Sequence, residues 1–240
     1  MPPLCIAHRG ASAQAPENTL RAFERARSLG ADGIELDAQT TRDGVPVVFH
    51  DLDVRRLTEG SGRLAGFSWN RLRALRVGGE PIPSLREALA FARGGMLVQV
   101  EIKKGAEVAP ILRAIRSTGT ARNVILASFE RAILREAGAL APSIPRMLIA
   151  DPEPPSARPA EAGLRWARAA LSLGAAGISL NHRSIVSGSL VAAIRDRGLK
   201  LWCWTVNDRR SIRRLSKWGV DALIMDDPRK FSSVFKLTPL

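Results

Sequence analysis

The sequence predicts an α/β protein built as a (β/α)8 TIM barrel with a short inserted segment. Three observations support this fold class. Short apolar runs typical of buried strands alternate with amphipathic stretches typical of helices, there are eight such pairs, and 240 residues suit one barrel. A doubly wound open sheet is the alternative that the same alternation allows. In a barrel, the chemistry is expected where the strands end, at their carboxyl edge.

Strand-like runs and helix-like stretches follow one another in order. The stretch after the first run places Leu20, Phe23 and Ala26 on one helix face and ends at Gly30. The predicted strands are residues 4–8, 33–38, 97–102, 124–128, 146–150, 177–181, 200–206 and 222–226.

Later helices carry their own start and stop signals. Ser84 and Glu87 have the spacing of a capping box. Asn207 or Asp208 is the predicted N-cap of a helix that ends at Gly219. These signals place helices between successive strands, as parallel strand connections require.

Two connections are longer than an ordinary link between a strand and a helix. Residues 51–86 follow the hairpin of the second strand, so we expect them to cap the carboxyl edge; a surface loop with one short helix around Trp69–Leu75 is the alternative. The proline-rich residues 151–163 are predicted to form a long loop. Residues 1–240 are predicted to form a single barrel domain, with 51–86 as a small insertion.

Composition narrows the classes of partner. The formal net charge is +13, and 30 of the 36 basic residues are arginine. Such an excess raises binding to nucleic acid or anionic membranes. The arginines are spread over many helices and form no basic block, so neither nucleic-acid binding nor stable membrane association is expected. The charge favours a small anionic substrate such as a phosphate ester.

The first apolar run begins at Leu4, and no run approaches membrane-spanning length. We therefore expect a soluble cytoplasmic protein; the sequence does not indicate its oligomeric state. Cys5 and Cys203 lie in apolar runs without metal-site spacing. They are expected to be buried free thiols, with a disulfide as the lesser alternative.

The stretch IELDAQTTRDGVPVVFHD, residues 34–51, combines a strand pattern with ionisable side chains. Glu35 and Asp37 are two residues apart and share one face of the strand, whereas Ile34 and Leu36 share the other. In a barrel, this alternation places both carboxylates inward, near the carboxyl end of the second strand.

A hairpin is predicted directly after these carboxylates. Asp43-Gly44 is a strong signal for a two-residue turn. With these two residues at the centre of the turn, Asp37 lies opposite His50, although a bulge would shift the pairing by one residue. We therefore expect the hairpin to fold His50 back onto the carboxylates.

Two further strands end in ionisable side chains. Glu101 and Lys103 share a face at the end of the third barrel strand, and His8-Arg9 ends the first. Three consecutive strands are thus expected to bring these residues to neighbouring places on one rim. Plain ion pairing between strands is the structural alternative for Glu101 and Lys103.

This set of side chains has a coherent chemistry. Three carboxylates make an oxygen-rich site suited to Mg²⁺ or Ca²⁺. Arginine and lysine side chains bind the oxygens of a phosphate, and two imidazoles can act as acid and base near neutral pH. The sequence therefore predicts cleavage of a phosphodiester.

The chain also resembles the glycerophosphodiester phosphodiesterase family, one of the phosphatidylinositol-phospholipase-C-like barrel families. In their order and spacing, the matching segments extend over nearly the whole chain. They are AHRGASAQAPENT (7–19), GIELDAQTTRDGVPVVFHD (33–51), VEIK (100–103) and WTVN (204–207).

The resemblance implies hydrolysis of glycerophosphodiesters to sn-glycerol 3-phosphate and an alcohol, with a divalent metal. The glycerol 2-hydroxyl is one candidate nucleophile, giving a cyclic phosphate that water opens; direct attack by water is the other. One departure is MDDP at 225–228, where members often show Thr-Asp-x-Pro, and this loop is expected to tune substrate contacts. By matching position, the acid and base are His8 and His50, the Mg²⁺ or Ca²⁺ ligands are Glu35, Asp37 and Glu101, and the phosphate-binding residues are Arg9 and Lys103.

Other positions admit two interpretations. Glu17 and Asn18 precede the first helix and are either auxiliary site residues or a helix N-cap. Trp204 either walls the glycerol pocket or packs in the core with Trp202. His182 is expected to be a loop histidine without a role.

Two alternative functions stay open at this point. A lysophospholipase-D-like or cyclising phospholipase would act on larger lipid phosphodiesters and use an apolar rim formed by Leu64, Phe67, Trp69 and Leu72. A non-enzymatic basic protein that binds RNA or anionic surfaces fits the net charge. That second function leaves the three carboxylates unexplained, because they would repel a polyanion.

Overall fold

The computed structural model describes residues 2–151, 158–183 and 186–235. The strands in these residues are β1 Leu4–His8, β2 Gly33–Thr40, β3 Pro46–Val48, β4 Arg76–Val77, β5 Glu80–Pro81, β6 Leu97–Ile102, β7 Val124–Ser128, β8 Arg146–Ala150, β9 Gly177–Asn181, β10 Lys200–Trp204 and β11 Ala222–Met225. The α-helices are α1 Leu20–Ser28, α2 Trp69–Leu72, α3 Leu85–Phe91, α4 Val108–Thr118, α5 Arg131–Leu140, α6 Pro159–Ser172, α7 Gly188–Arg195, α8 Arg209–Trp218 and α9 Pro228–Phe235. Short 3-10 turns cover Val54–Arg56, Leu64–Gly66, Ala92–Gly94 and Ala121–Asn123.

Within the described ranges, eight parallel strands close into a barrel. Their order is β1, β2, β6, β7, β8, β9, β10 and β11, and β11 pairs with β1 to complete the ring. Helices lie between successive strands. The TIM barrel predicted from the sequence is therefore confirmed, and the open sheet is excluded because its edge strands would not pair.

Local sequence signals account for the helix ends. The Ser84–Glu87 capping box is present at the start of α3. Asp208 accepts a hydrogen bond from the backbone of Ser211 at the start of α8, and Gly219 ends that helix with a left-handed backbone. Helix α6 begins at Pro159, so the loop predicted over 151–163 is shorter than expected, and residues 152–157 lie outside the described part of the chain.

The core separates into an outer and an inner part. Ile34 and Leu36 of β2 belong to the outer apolar cluster, which also contains Phe23 of α1 and Leu89 of α3, as the alternation predicted. The interior contains a smaller apolar cluster formed by Ile6, Ala127, Met147, Ile149, Trp202, Ala222 and Ile224.

The hairpin after β2 differs from the predicted turn by one residue. Ala38 pairs with Val48, and the backbone N–H of Phe49 donates to the carbonyl of Asp37 at 2.9 Å, so Asp37 lies opposite Phe49 and not His50. The reason is a longer turn. The Thr41 hydroxyl accepts from the backbone of Val45 at 3.0 Å, so the loop contains three residues and a left-handed glycine.

The long connection after the hairpin packs around its own apolar cluster. Val54, Leu64, Leu72, Val77 and Ile82 are buried there, together with two side chains from the hairpin. The helix predicted over Trp69–Leu75 is present but ends at Leu72. The predicted apolar rim is wrong for Leu64 and Leu72, which are fully buried, whereas Phe67 and Trp69 are half-buried and pack against the same cluster.

Two smaller predictions are also tested. Cys5 and Cys203 are buried and unpaired, as expected. No helix in the described ranges is both long and apolar enough to cross a membrane.

Candidate active site

The register of three neighbouring strands brings the predicted side chains together. His8 on β1 lies beside Glu35 on β2, and Asp37 on β2 lies beside Glu101 on β6. Because parallel strands end at the same edge of a barrel, these side chains meet at its carboxyl rim. The prediction that they share one rim is confirmed.

The carboxylates of Glu35, Asp37 and Glu101 form one cluster. One oxygen from each lies within 4.8 Å of the other two. Burial, together with the neighbouring charge of Asp37, raises the pKa of Glu35 and of Glu101. Three oxygen donors held this closely fit a hard divalent cation such as Mg²⁺ or Ca²⁺.

Arg9 and Lys103 lie against these carboxylates. Lys103 Nζ is 2.6 Å from Glu101 and 3.4 Å from Asp37, and Arg9 Nε is 3.2 Å from Asp37. Burial alone would raise the pKa of Asp37, but the charges of Lys103 and Arg9 outweigh it and lower that pKa. Both cations also line the central cavity, where an anion could contact them.

His8 is held by a carboxylate from the far end of the chain. Its Nδ1 is 2.7 Å from Asp226 Oδ1, and its Nε2 is 4.0 Å from Glu35 Oε2. Asp226 also accepts hydrogen bonds from the Ser12 hydroxyl and the Asn207 side chain. Burial opposes the charged imidazole, but the hydrogen bond with Asp226 and the charge of Glu35 outweigh it and raise the pKa of His8.

His50 is held by its neighbour in sequence and by the end of β2. Its Nδ1 is 2.6 Å from Asp51 Oδ1. The side-chain amide of Gln39 donates to the carbonyls of Phe49 at 2.7 Å, His50 at 3.2 Å and Asp51 at 2.8 Å. Burial is the largest effect on the imidazole and lowers the pKa of His50.

Gln39, Asp51 and Asp226 also belong to the site, although the sequence patterns did not single them out. Gln39 continues the alternation of Glu35 and Asp37, so the strand pattern contained the signal for it. Asp51 follows His50 directly. Asp226 is the first aspartate of MDDP, a loop expected to tune substrate contacts, and its side chain contacts His8.

Glu17 and Asn18 both contact side chains of the site, and the N-cap of α1 is Thr19. The helix-cap interpretation of Glu17 and Asn18 is therefore wrong. Asn18 donates to Asp37 at 2.8 Å and adopts a left-handed backbone, which is uncommon outside glycine. Glu17 Oε1 accepts from Arg9 at 2.8 Å.

A cavity of about 260 Å³ opens at this rim. One wall is apolar and contains Phe129, Ile149, Trp204 and Ile224. Trp204 donates to the carbonyl of Ser179 at 3.0 Å, and its ring stands edge-on to Phe129. The polar wall is formed by His8, Arg9, Glu35, His50, Gln99, Glu101 and Lys103.

A carboxylate cluster, two cationic side chains and two imidazoles thus lie together at the carboxyl rim of the barrel. The sequence model of the glycerophosphoryl diester phosphodiesterase family matches residues 8–230, and the chain belongs to that family.

Relatives and solved structures agree with this assignment. A glycerophosphodiester phosphodiesterase from Caldanaerobacter subterraneus subsp. tengcongensis is 36% identical over 95% of this chain and 96% of the relative. A phosphodiesterase from Oleispira antarctica, solved in complex with the product sn-glycerol-3-phosphate, is 28% identical, with a TM-score of 0.86 over 98% of this chain and 97% of that one. A putative glycerophosphoryl diester phosphodiesterase from Silicibacter pomeroyi has a TM-score of 0.86 and 25% identity, covering 98% of this chain and 93% of that one.

Proposed function

We propose that this glycerophosphodiester phosphodiesterase forms sn-glycerol 3-phosphate and an alcohol through a divalent cation and two histidines. The observation that carries the proposal is the convergence of the carboxylate cluster and both imidazoles on one cavity. Glu35, Asp37 and Glu101 would hold the cation, and His8 and His50 would act as acid and base. The small diester is the proposed substrate because the cavity of about 260 Å³ suits a glycerol phosphate group.

When bound, the cation would withdraw electron density from the phosphoryl group and stabilise its developing charge. Arg9 and Lys103 would bind the non-bridging phosphate oxygens, which orients the phosphorus for attack. The side chains of Arg9 and Lys103 already lie beside the carboxylates, so the phosphate would bind where positive and negative side chains alternate.

Each imidazole has Nδ1 held by an aspartate, which leaves Nε2 for the substrate. One imidazole takes the proton of the attacking hydroxyl, from the glycerol 2-position or from water. The new phosphorus–oxygen bond forms as the bond to the alcohol breaks, and the other imidazole gives a proton to the leaving oxygen. If the 2-hydroxyl attacks, water then opens the cyclic phosphate with the same two imidazoles in exchanged roles.

Trp204 is the proposed wall of the glycerol pocket. Its hydrogen bond to Ser179 and its edge contact with Phe129 fix the ring at the cavity. A fixed aromatic wall excludes water and would pack against the carbon side of the glycerol.

The test is release of glycerol 3-phosphate from glycerophosphocholine, glycerophosphoethanolamine and glycerophosphoglycerol by chelator-treated enzyme. We expect no turnover without cation and recovery with Mg²⁺, Ca²⁺ or Mn²⁺. Full turnover after chelation would reject the role of the cation. Cleavage of none of these diesters with any of the ions would reject the proposed reaction.

A phospholipase acting on larger lipids has one observation in its favour. Leu52 and Phe129 are 46% and 39% exposed, and each lines a cavity at this rim. An acyl chain could pack there even though Leu64 and Leu72 of the predicted apolar rim are buried. Rates on lysophosphatidylcholine and glycerophosphocholine, measured side by side, separate the two functions; a faster rate on the lysolipid would favour the phospholipase.

A further inference from the structure

Beyond the residues assigned above, we propose that Arg56 is a positioning residue that joins the inserted segment to the site and holds His50 in place. The inference rests on the proposed function, because it assumes that His50 takes part in catalysis. Three sets of contacts lead to it.

Arg56 fixes the carboxylate that holds His50. Its Nε donates to Asp51 Oδ2, and its NH2 donates to Asp51 Oδ1 at 3.1 Å. Asp51 Oδ1 is the atom that lies 2.6 Å from His50 Nδ1. A two-point contact from a planar guanidinium fixes the plane of a carboxylate, which a single contact from a flexible ammonium does not. The orientation of the imidazole therefore depends on Arg56.

The same guanidinium reaches the other side of the site. Its NH2 donates to Glu17 Oε1 at 2.8 Å, and that oxygen also accepts from Arg9 at 2.8 Å. Arg9 in turn lies 3.2 Å from Asp37. Arg56 thus joins His50 and Asp51 to Glu17 and Arg9, and Arg9 is the side chain predicted to bind phosphate.

The main chain around Arg56 is firmly placed. Arg56 ends the 3-10 turn that begins at Val54, whose side chain is buried in the apolar cluster of the insertion. The backbone of Val54 donates to Gly62 at 3.1 Å, and that of Leu64 donates to Leu52 at 2.9 Å. The position of the guanidinium is therefore set by an inserted segment that has its own apolar cluster and backbone hydrogen bonds.

Direct binding of phosphate by Arg56 fits the structure less well. Its Nε, NH1 and NH2 groups all face Glu17 or Asp51. The Arg56 side chain lines a shallow depression that begins at His50 and Asp51. Among the described residues, it does not line the central cavity that Arg9 and Lys103 share. A positioning role accounts for these contacts without a second phosphate ligand.

Arg55 offers a matched control one residue away. Its side chain is 71% exposed and forms an ion pair with Asp53. Replacing Arg55 or Arg56 by Gln removes the same charge from the same turn. Only the second substitution releases Asp51 and Glu17.

The experiment compares Arg55→Gln, Arg56→Gln and Arg56→Lys on glycerophosphocholine with saturating Mg²⁺, after thermal melting shows that each variant is folded. For Arg56→Gln we expect kcat to fall on the order of 10- to 100-fold, as for other residues that orient a site, with KM within about twofold. Arg56→Lys should fall similarly, because the charge is kept but the fork is lost. Arg55→Gln should keep the native kcat.

Ring ¹⁵N signals provide a readout that a loss of general stability would not move. In Arg56→Gln we expect changed or broadened signals for His50 and unchanged signals for His8. Native kcat in Arg56→Gln or in Arg56→Lys would overturn the proposal, as would a fall in kcat with unchanged His50 signals. His50→Ala separates the two levels: an active His50→Ala rejects the proposed function itself, whereas an inactive His50→Ala beside a fully active Arg56→Gln rejects only the role of Arg56.

Discussion

At the scale of single residues, the site depends on aspartates that hold histidines. Asp226 binds His8 Nδ1, which selects the ring tautomer and turns Nε2 toward Glu35. The adjacent Asp227 points elsewhere and binds Gln14 and Arg229. Two neighbouring aspartates of one loop therefore have separable tasks.

Asp226→Asn is expected to lower kcat on the order of 10- to 100-fold, since the amide no longer selects the productive tautomer. Asp227→Asn is the control and should keep nearly native kcat. Steady-state kinetics on glycerophosphocholine measure both. Equal effects of the two substitutions would show that His8 does not depend on Asp226.

Glu35 links cation binding to pH. Burial and the neighbouring Asp37 raise the pKa of Glu35 to about 8, which favours the protonated form near neutral pH before a cation binds. A bound cation requires the carboxylate, and its binding should release a proton. The apparent affinity should therefore rise with pH up to about 8 and then level off. Calorimetry of Mn²⁺ binding in buffers of different ionisation enthalpy measures this; a flat affinity without proton release below that pH would contradict it.

At the scale of elements, β2 and its hairpin show how far a strand pattern reaches. Strict alternation predicted that Glu35 and Asp37 face inward, because side chains on a strand change sides at every residue. The turn is one residue longer than predicted, because Thr41 lies opposite Val45 and its hydroxyl accepts a hydrogen bond from the Val45 backbone. Alternation determines which face of the strand a side chain occupies. The length of the turn depends on local hydrogen bonds, which the Asp-Gly pair alone does not specify.

Gln39 connects this strand to the segment that carries His50. In Gln39→Leu, three carbonyls lose their donor while the shape of the side chain is nearly kept. We expect the free energy of unfolding to fall by about 1–3 kcal/mol, and kcat to fall because His50 is less firmly held. Urea unfolding and kinetics measure the two effects. Native stability together with native kcat would show that these hydrogen bonds do not position His50.

At the scale of the whole molecule, barrel closure creates part of the site. Ala7 pairs with Met225 where the first and last barrel strands meet, so the residues that follow them, His8 and Asp226, become neighbours. They are 218 residues apart in the chain. Strand periodicity could predict the inward carboxylates, but it could not predict this contact or the reach of Arg56 from the insertion, because both depend on how distant segments pack.

The net charge of +13 fits a small anionic substrate, although the rim itself mixes both signs. Glu35, Asp37 and Glu101 lie next to Arg9 and Lys103, an arrangement suited to a cation and a phosphate together and poorly suited to a polyanion. The organisation of residues 1–240 as a single domain and the cytoplasmic location stay predictions.

The most direct test of the central claim is anomalous X-ray scattering from crystals soaked with Mn²⁺ and sn-glycerol 3-phosphate. We predict a Mn²⁺ peak in contact with one oxygen from each of Glu35, Asp37 and Glu101, with the phosphate between that ion and the side chains of Arg9 and Lys103. A peak at another place, or a phosphate bound away from His8 and His50, would contradict it.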